Sequence, residues 1–282
     1  MCAPSVIEQV GRQLSRRDLL RATAGMAVGA LLAMPRATAR ASSSPAGAPR
    51  LEVNHVADLI HALSPDFPVF PGFEPMKVRT LVTVKQNGFY ANRWDVGEHT
   101  GTHMDAPAHF VDRPGIWTAD EVPAERLIAP LAVVHIHERA SRNPDAWVTA
   151  DDLHAWEQRY GRILDGAIVC MHSGWETRVG DAAAYRNADS SGTMHFPGFS
   201  PEAAEFLVNE RRIAGIGVDT LSLDIGPSTD FKVHLTVLGA NLFGLENLAN
   251  LAKVPPSGAT AIVGAPKVRG ASGGPCRVLA VW

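Results

Sequence analysis

The order of apolar and polar positions outlines most of the elements of this chain. Val78 to Val84 and Phe89 to Val96 read as two strands, joined by Lys85-Gln86-Asn87-Gly88 with its Asn-Gly turn signal. Pro130 to His137 is an apolar run of strand length. Val148 to Tyr160 predicts a helix: Thr149 can cap it, Asp151 and Asp152 sit in its first turn, and Leu153, Trp156 and Tyr160 share a face. Gly166 to Met171 predicts a short buried strand. Ser200-Pro201-Glu202 opens a second helix, with serine as N-cap, proline at the first position, and Phe206 and Leu207 toward the core. Ile213 to Val218, Ala259 to Val263 and Arg277 to Val281 are strand-like. Helices and strands are mixed, and several strands follow one another with no helix between them. The pattern therefore predicts an α/β (mixed α+β) fold in one domain, residues 51–282.

Composition narrows the function. Of the 282 residues 46% are hydrophobic, enough for a sizeable core and unlike a disordered chain. The net charge of -3 gives no basis for a nucleic-acid or membrane-surface partner. The three cysteines, Cys2, Cys170 and Cys276, form no CxxC pair, which argues against a thiolate metal knuckle. Cys170 lies in an apolar run and reads as a plain buried thiol.

The first forty residues read as an address. Ser15-Arg16-Arg17-Asp18-Leu19-Leu20-Arg21 is a twin-arginine pattern, followed by an apolar Ala/Gly-rich stretch from Ala22 to Met34. That stretch is too short to span a bilayer comfortably. Ala37-Thr38-Ala39 and Ala39-Arg40-Ala41 are small-x-small cleavage patterns. Residues 1–41 are thus expected to be a twin-arginine signal, and 42–50 a flexible lead-in. The mature protein is expected in the periplasm or outside the cell, with no stable membrane insertion once the signal is cut.

Chemistry concentrates between Glu98 and Phe110, where His99, His103, Asp105 and His109 fall within eleven residues. Neutral imidazole and carboxylate suit a divalent zinc, manganese or iron ion. In an extended chain the four odd-numbered positions face one way. A straight strand would spread them over roughly 33 Å, too far for one centre. The chain must therefore bend while keeping its alternation, and Gly101 and Pro107 are placed to allow it. Thr100 and Thr102 would point the other way and hydrogen-bond backbone.

The string from His99 to Phe110 matches the HxGTHxDxPxHF signature, and the chain resembles the cyclase-like metal hydrolases, which include kynurenine formamidase and isatin hydrolase. The resemblance covers nearly all of the mature chain, from about Asp58 onward. Phe67 to Gly72, His195 to Ala204 and Gly217 to Asp224 match further family segments. The signature is specific for the family and poorly specific for the substrate. What the resemblance implies is a swivelling β/α/β domain with a central β-barrel-like core, in a protein that commonly forms homo-oligomers. It implies that His99, His103 and Asp105 hold one divalent ion, zinc in the first place and manganese as the alternative. Asp105 would bridge to a second ion completed by His234 and Glu246. It makes His109 the acid/base residue and gives Phe70 a substrate contact where formamidases usually carry Trp. That departure weakens the case for a kynurenine-type substrate.

Glu246 sits in an apolar run, where a carboxylate is costly to bury without a cation or strong donors. Asp219 and Asp224 fit turn or ligand-orienting roles better than direct ligation. His172 and His195 are candidates for the pocket with a structural role favoured, and His55, His61, His135, His137 and His154 carry no motif. Most of the aromatics Phe67, Phe70, Phe89, Trp94, Trp175, Phe196 and Phe199 are expected in the core. The expected activity is hydrolysis of an aryl formamide or cyclic amide, with a small molecule as partner. The alternatives are a metal-dependent cyclase or dehydratase on the same scaffold, and a periplasmic metal-binding protein without catalysis.

Overall fold

The computed structural model describes residues 53–282, so the twin-arginine segment and the lead-in lie outside the described residues. The first half of the chain forms β1 (Val56–Asp58), β2 (Lys77–Val82), α1 (Val84–Asn87), β3 (Ala91–Asp95), β4 (His103–Asp105), β5 (Ile128–His135), α2 (His137–Ala140) and β6 (Trp147–Val148). It continues through α3 (Ala150–Tyr160), β7 (Ile168–His172), α4 (Ala182–Arg186), β8 (Gly198–Phe199), α5 (Pro201–Arg211), β9 (Gly215–Val218), α6 (Lys232–Gly239) and β10 (Phe243–Glu246). Three strands close the chain: β11 (Ala259–Gly264), β12 (Gly273–Pro275) and β13 (Arg277–Val281).

Nine strands make one curled, half-barrel sheet in the order β1-β13-β11-β5-β7-β9-β10-β4-β12. The middle four, β5, β7, β9 and β10, run parallel. Antiparallel strands flank them on both sides, with β11 beside β5 and β4 beside β10. This is the mixed α/β fold that the element pattern predicted, with the barrel-like core that the resemblance implied.

The sheet has two apolar faces, and the period of two sorts side chains between them. Leu131, Val133, Ile168 and Cys170 point to one face, with Met104, Leu245 and Val278. Their alternates Ala132, Val134, Val169 and Met171 point to the other, under Leu153, Trp156, Ala203, Leu207, Val233 and Val237 of α3, α5 and α6. The helices start where the sequence says. Thr149 caps α3 in a reciprocal capping box with Asp152. Ser200 Oγ accepts from Ala203 N–H ahead of Pro201 in α5. Burial leaves Cys170 a protonated thiol, its pKa pushed far up.

Two expectations need correction. Asn87-Gly88 does not make a two-residue hairpin turn. Thr83 caps the single turn α1, and Gly88 ends it at φ +79°, because the same Asn-Gly pair is also a helix stop signal. Phe89 and Trp94 are not core residues. They lie exposed on the β2–β3 hairpin, which pairs with no other strand among the described residues.

Candidate active site

The site forms where β4 meets β10 across an antiparallel register that sets Glu246 opposite His103 and Gly244 opposite Asp105. The signature segment bends at the two places expected. Gly101 takes φ +71°, and a side chain there would also strike Leu63 Cδ1 at 2.7 Å. Pro107 opens a 3-10 turn, Pro107–His109, that folds His109 back over His99, ring centroids 3.6 Å apart. Thr102 Oγ1 donates to Asn247 C=O at 2.5 Å, tying the turn to the end of β10, while Thr100 Oγ1 finds no partner.

The structure brings together His99, His103, Asp105, His109, His234 and Glu246. Asp105 Oδ1 lies 2.7 Å from His99 Nδ1 and 3.2 Å from His103 Nε2. His103 Nε2 is 3.4 Å from Glu246 Oε2, and His234 Nε2 is 3.2 Å from Glu246 Oε1 and 3.6 Å from Asp105 Oδ2. The potential ligand atoms fall into two overlapping sets, His99–Asp105–His109 and His103–Asp105–Glu246, with Asp105 common to both.

His99, His103 and His234 are each held from behind. His103 Nδ1–H donates to Gly101 C=O at 2.9 Å, which turns Nε2 toward the carboxylates. His234 Nδ1 is 2.6 Å from Asp224 Oδ2, and Asp224 also accepts from the Val233 and His234 backbone N–H groups. His99 Nε2 meets Ser272 Oγ at 2.9 Å, and Ser272 in turn donates to Glu98. A carboxylate or carbonyl behind a ligating imidazole fixes both its tautomer and its ring plane. Asp224 was legible as such a residue; Ser272 and Glu98 were not, since one lies far along the chain and the other is merely an exposed acid in sequence.

The electrostatics favour a cation. Burial opposes charge on His103, but Asp105 and Glu246 outweigh it and raise the imidazole to about 9. Burial also opposes charge on Asp105, yet the surrounding imidazoles hold it well below the usual carboxylate range. Burial and the neighbouring Asp105 push Glu246 up. His103 Nε2 and Asp105 Oδ2 are buried with no hydrogen-bond partner, a costly arrangement in a protein interior. Orphaned imidazole nitrogen and carboxylate oxygen in one place are what a divalent ion would satisfy, so the donor set fits such an ion. Burial lowers His109 to about 4, against the pull of Asp105.

The cluster forms the floor of a cavity of about 670 Å³, mouth included. Phe70 lines it, as do Phe73, Phe110, Phe231 and Leu221, none of which the sequence singled out as pocket residues. Ser222 and Asn247 bring polar atoms to the wall. His172 and His195 do not line this cavity. His195 pairs with Asp145 at 2.9 Å, and His172 turns toward His135.

Residues 57–225 match the family model described as putative cyclase. The isatin hydrolase of Roseibium aggregatum is 36% identical over 242 residues, covering 80% of this chain and 91% of that protein. The kynurenine formamidase of Paracidovorax citrulli is 28% identical over 197 residues, 70% of this chain and 81% of that one. Among solved structures, isatin hydrolase A from Ralstonia solanacearum superposes with a TM-score of 0.76 at 40% identity, over 80% of this chain and 91% of that one. An isatin hydrolase bound to the product analogue thioisatinate gives the same TM-score at 34% identity, over 80% and 92%.

Proposed function

This chain belongs to the cyclase family and is a metal-dependent hydrolase of a non-peptide C–N amide bond, and we propose that the bond lies in a small cyclic aryl amide of the isatin type. One observation carries the reading: a phenylalanine-walled cavity is lined at one side by His99, His103, His234 and Glu246, beside the buried, unpartnered His103 Nε2 and Asp105 Oδ2. Apolar walls with a few convergent polar groups suit a flat aromatic ligand whose one polar edge meets the reacting groups. Phe70 offers area and no N–H donor, which suits a fused ring better than an amino-acid side arm.

In this reading His99, His103, Asp105, His234 and Glu246 would hold the ion. Zinc fits the imidazole–carboxylate set, and manganese is the alternative. When bound, the ion would supply Lewis acidity toward the scissile carbonyl and a water. The protein's residues do the rest. Asp224, Gly101 and the Glu98–Ser272 pair fix the imidazoles, so little reorganisation is needed during reaction. His109 is neutral near pH 7, takes the proton of the attacking water and returns it to the departing ring nitrogen. The phenyl rings keep other water away from the opened ring.

The assay is turnover of isatin by the zinc- and manganese-loaded protein, followed by loss of ring absorbance, beside an N-formyl arylamine. At least ~100-fold higher kcat/KM for isatin is expected, about 3 kcal/mol of discrimination. Preference for the formamide would overturn the cyclic-amide reading, and water loss from a hydroxy acid would favour a dehydratase. Two further elements belong to this reading. The twin-arginine pattern supports export to the periplasm, tested by fractionating cells with Arg16 and Arg17 replaced by Lys. The exposed Leu81, Phe89, Tyr90 and Trp94 of the hairpin support a homo-oligomer, and a single-protomer mass in sedimentation would remove it.

A further inference from the structure

A second group of histidines lies at the carboxyl ends of β5 and β7, apart from the catalytic cavity. The parallel register sets His135 directly beside His172, and His137 follows two residues beyond the end of β5. Their rings close on one another, with centroids 5.0 Å apart for His135–His172 and 5.1 Å for His137–His172. One nitrogen from each falls within 4.8 Å of the other two, and His135 Nδ1 lies 2.8 Å from His172 Nδ1. A tetrahedral ion with metal–nitrogen bonds of ~2.0–2.1 Å spaces its ligand nitrogens ~3.3 Å apart, between those two values.

The backbone under these rings is fixed. Ile136 N–H, between His135 and His137, donates to His172 C=O at 2.9 Å. The residues after His172 are pinned by Asp219, which accepts from Ser173 Oγ at 2.6 Å and from the backbone N–H groups of Ser173, Gly174 and Trp175. His172 is buried while His135 and His137 are exposed, so the group has a rigid base and an open front. The front faces a hollow lined by Glu138, Arg139, Arg142 and Asn143. Of its charges, Arg139 is engaged by Asp152 in a two-bond pair and Arg142 Nε donates to Glu138 C=O.

We propose that His135, His137 and His172 form a second, solvent-open site for a borderline divalent transition-metal ion of the zinc and copper class, separate from the catalytic cluster. Three imidazoles with no thiolate select this class over magnesium, calcium or manganese. Burial lowers both His135 and His172, the latter to about 4, so these two offer lone pairs at neutral pH. The open front leaves a fourth position for water or an exchangeable anion. An ion there also clamps the ends of β5 and β7 together.

The test is equilibrium dialysis of the full chain against micromolar Zn2+, with elemental analysis per chain. Wild type is compared with the double variant His135→Ala/His137→Ala and, separately, with His103→Ala. The double variant should bind one equivalent fewer than wild type while its hydrolytic activity stays unchanged. His103→Ala should keep that equivalent and lose catalytic-site metal. Its Cu2+ complex should show superhyperfine splitting from imidazole nitrogen in electron paramagnetic resonance. Equal zinc in wild type and the double variant would overturn the proposal. So would a copper spectrum without nitrogen coupling, since a three-imidazole site must show it, and that outcome holds even if the double variant fails to fold. Neither depends on what the enzyme hydrolyses.

Discussion

His109 and Asp224 stand at opposite ends of the same proton economy. His109 stacks on His99 and lines the cavity, so its Nδ1 or Nε2 reaches a reacting group without serving to bury the fold. Replacing it by Asn keeps hydrogen bonding and removes the proton acceptor. We expect His109→Asn to lose ~10²–10⁴-fold in kcat, the usual share of general acid–base catalysis, with metal content near that of wild type. Elemental analysis beside steady-state rates reads both, and retained turnover removes His109 from the mechanism. Asp224 instead works through His234, whose Nδ1 it holds at 2.6 Å. Asp224→Asn should weaken metal binding ~10–100-fold, as the loss of such a partner commonly does. Excess metal should then restore the rate. A kcat that stays low at saturating metal would mean that Asp224 does something other than orient the imidazole.

At the level of elements, the floor of the site depends on three strands approaching closely. β12 pairs with β4 through Gly273 opposite Asp105, and a Cβ on Gly273 would run into Met104 C=O and lie 2.8 Å from His99 Cε1. Gly273→Ala should therefore push β12 away from β4 and shift His99. The expected cost is ~1–3 kcal/mol in chemical denaturation and at least tenfold in activity. Thr149→Ala is the contrast. It removes a capping box on α3, far from the cavity, and should cost ~1 kcal/mol with kcat/KM unchanged. These two elements also mark what the sequence could and could not disclose. Ser-Pro-Glu and Thr-x-x-Asp starts and the apolar alternation of β5 and β7 are local signals, and both helices and both strands were legible from them. Three-residue β12 carries Gly-Gly-Pro, which no strand pattern predicts; its edge position in the sheet is what tolerates Pro275. The signature histidines were legible because eleven residues hold them all. His135 and His172 lie 37 residues apart, and only the parallel register of β5 on β7 makes them neighbours.

For the whole molecule, the buried charges make stability depend on metal and pH together. In protein stripped by a chelator, protons are the cations that His103 and His234 can hold beside Asp105 and Glu246. His103 is raised to about 9 and His234 is raised well above its usual value. A histidine whose folded pKa exceeds the unfolded ~6.5 contributes stability that is complete below 6.5 and is lost as pH rises through the folded value. For His103 alone this is on the order of 3 kcal/mol between pH ~6.5 and ~9. His109 and His172, both lowered to about 4, act in the other direction. Their contribution is present above ~6.5 and is lost as pH falls toward 4, since the unfolded chain binds the protons that the folded one refuses. The stripped protein should therefore show a melting temperature that peaks near pH 6.5 and falls on both sides. The metal-loaded protein should lose only the alkaline fall, because the ion takes the protons' place between the carboxylates and binds more strongly as the imidazoles deprotonate. Differential scanning calorimetry from pH 5 to 9, with chelator and with Zn2+, measures both curves. Parallel curves would mean that no ion occupies the space between Asp105, Glu246 and the two imidazoles, and the five-residue ligand set would fall with it.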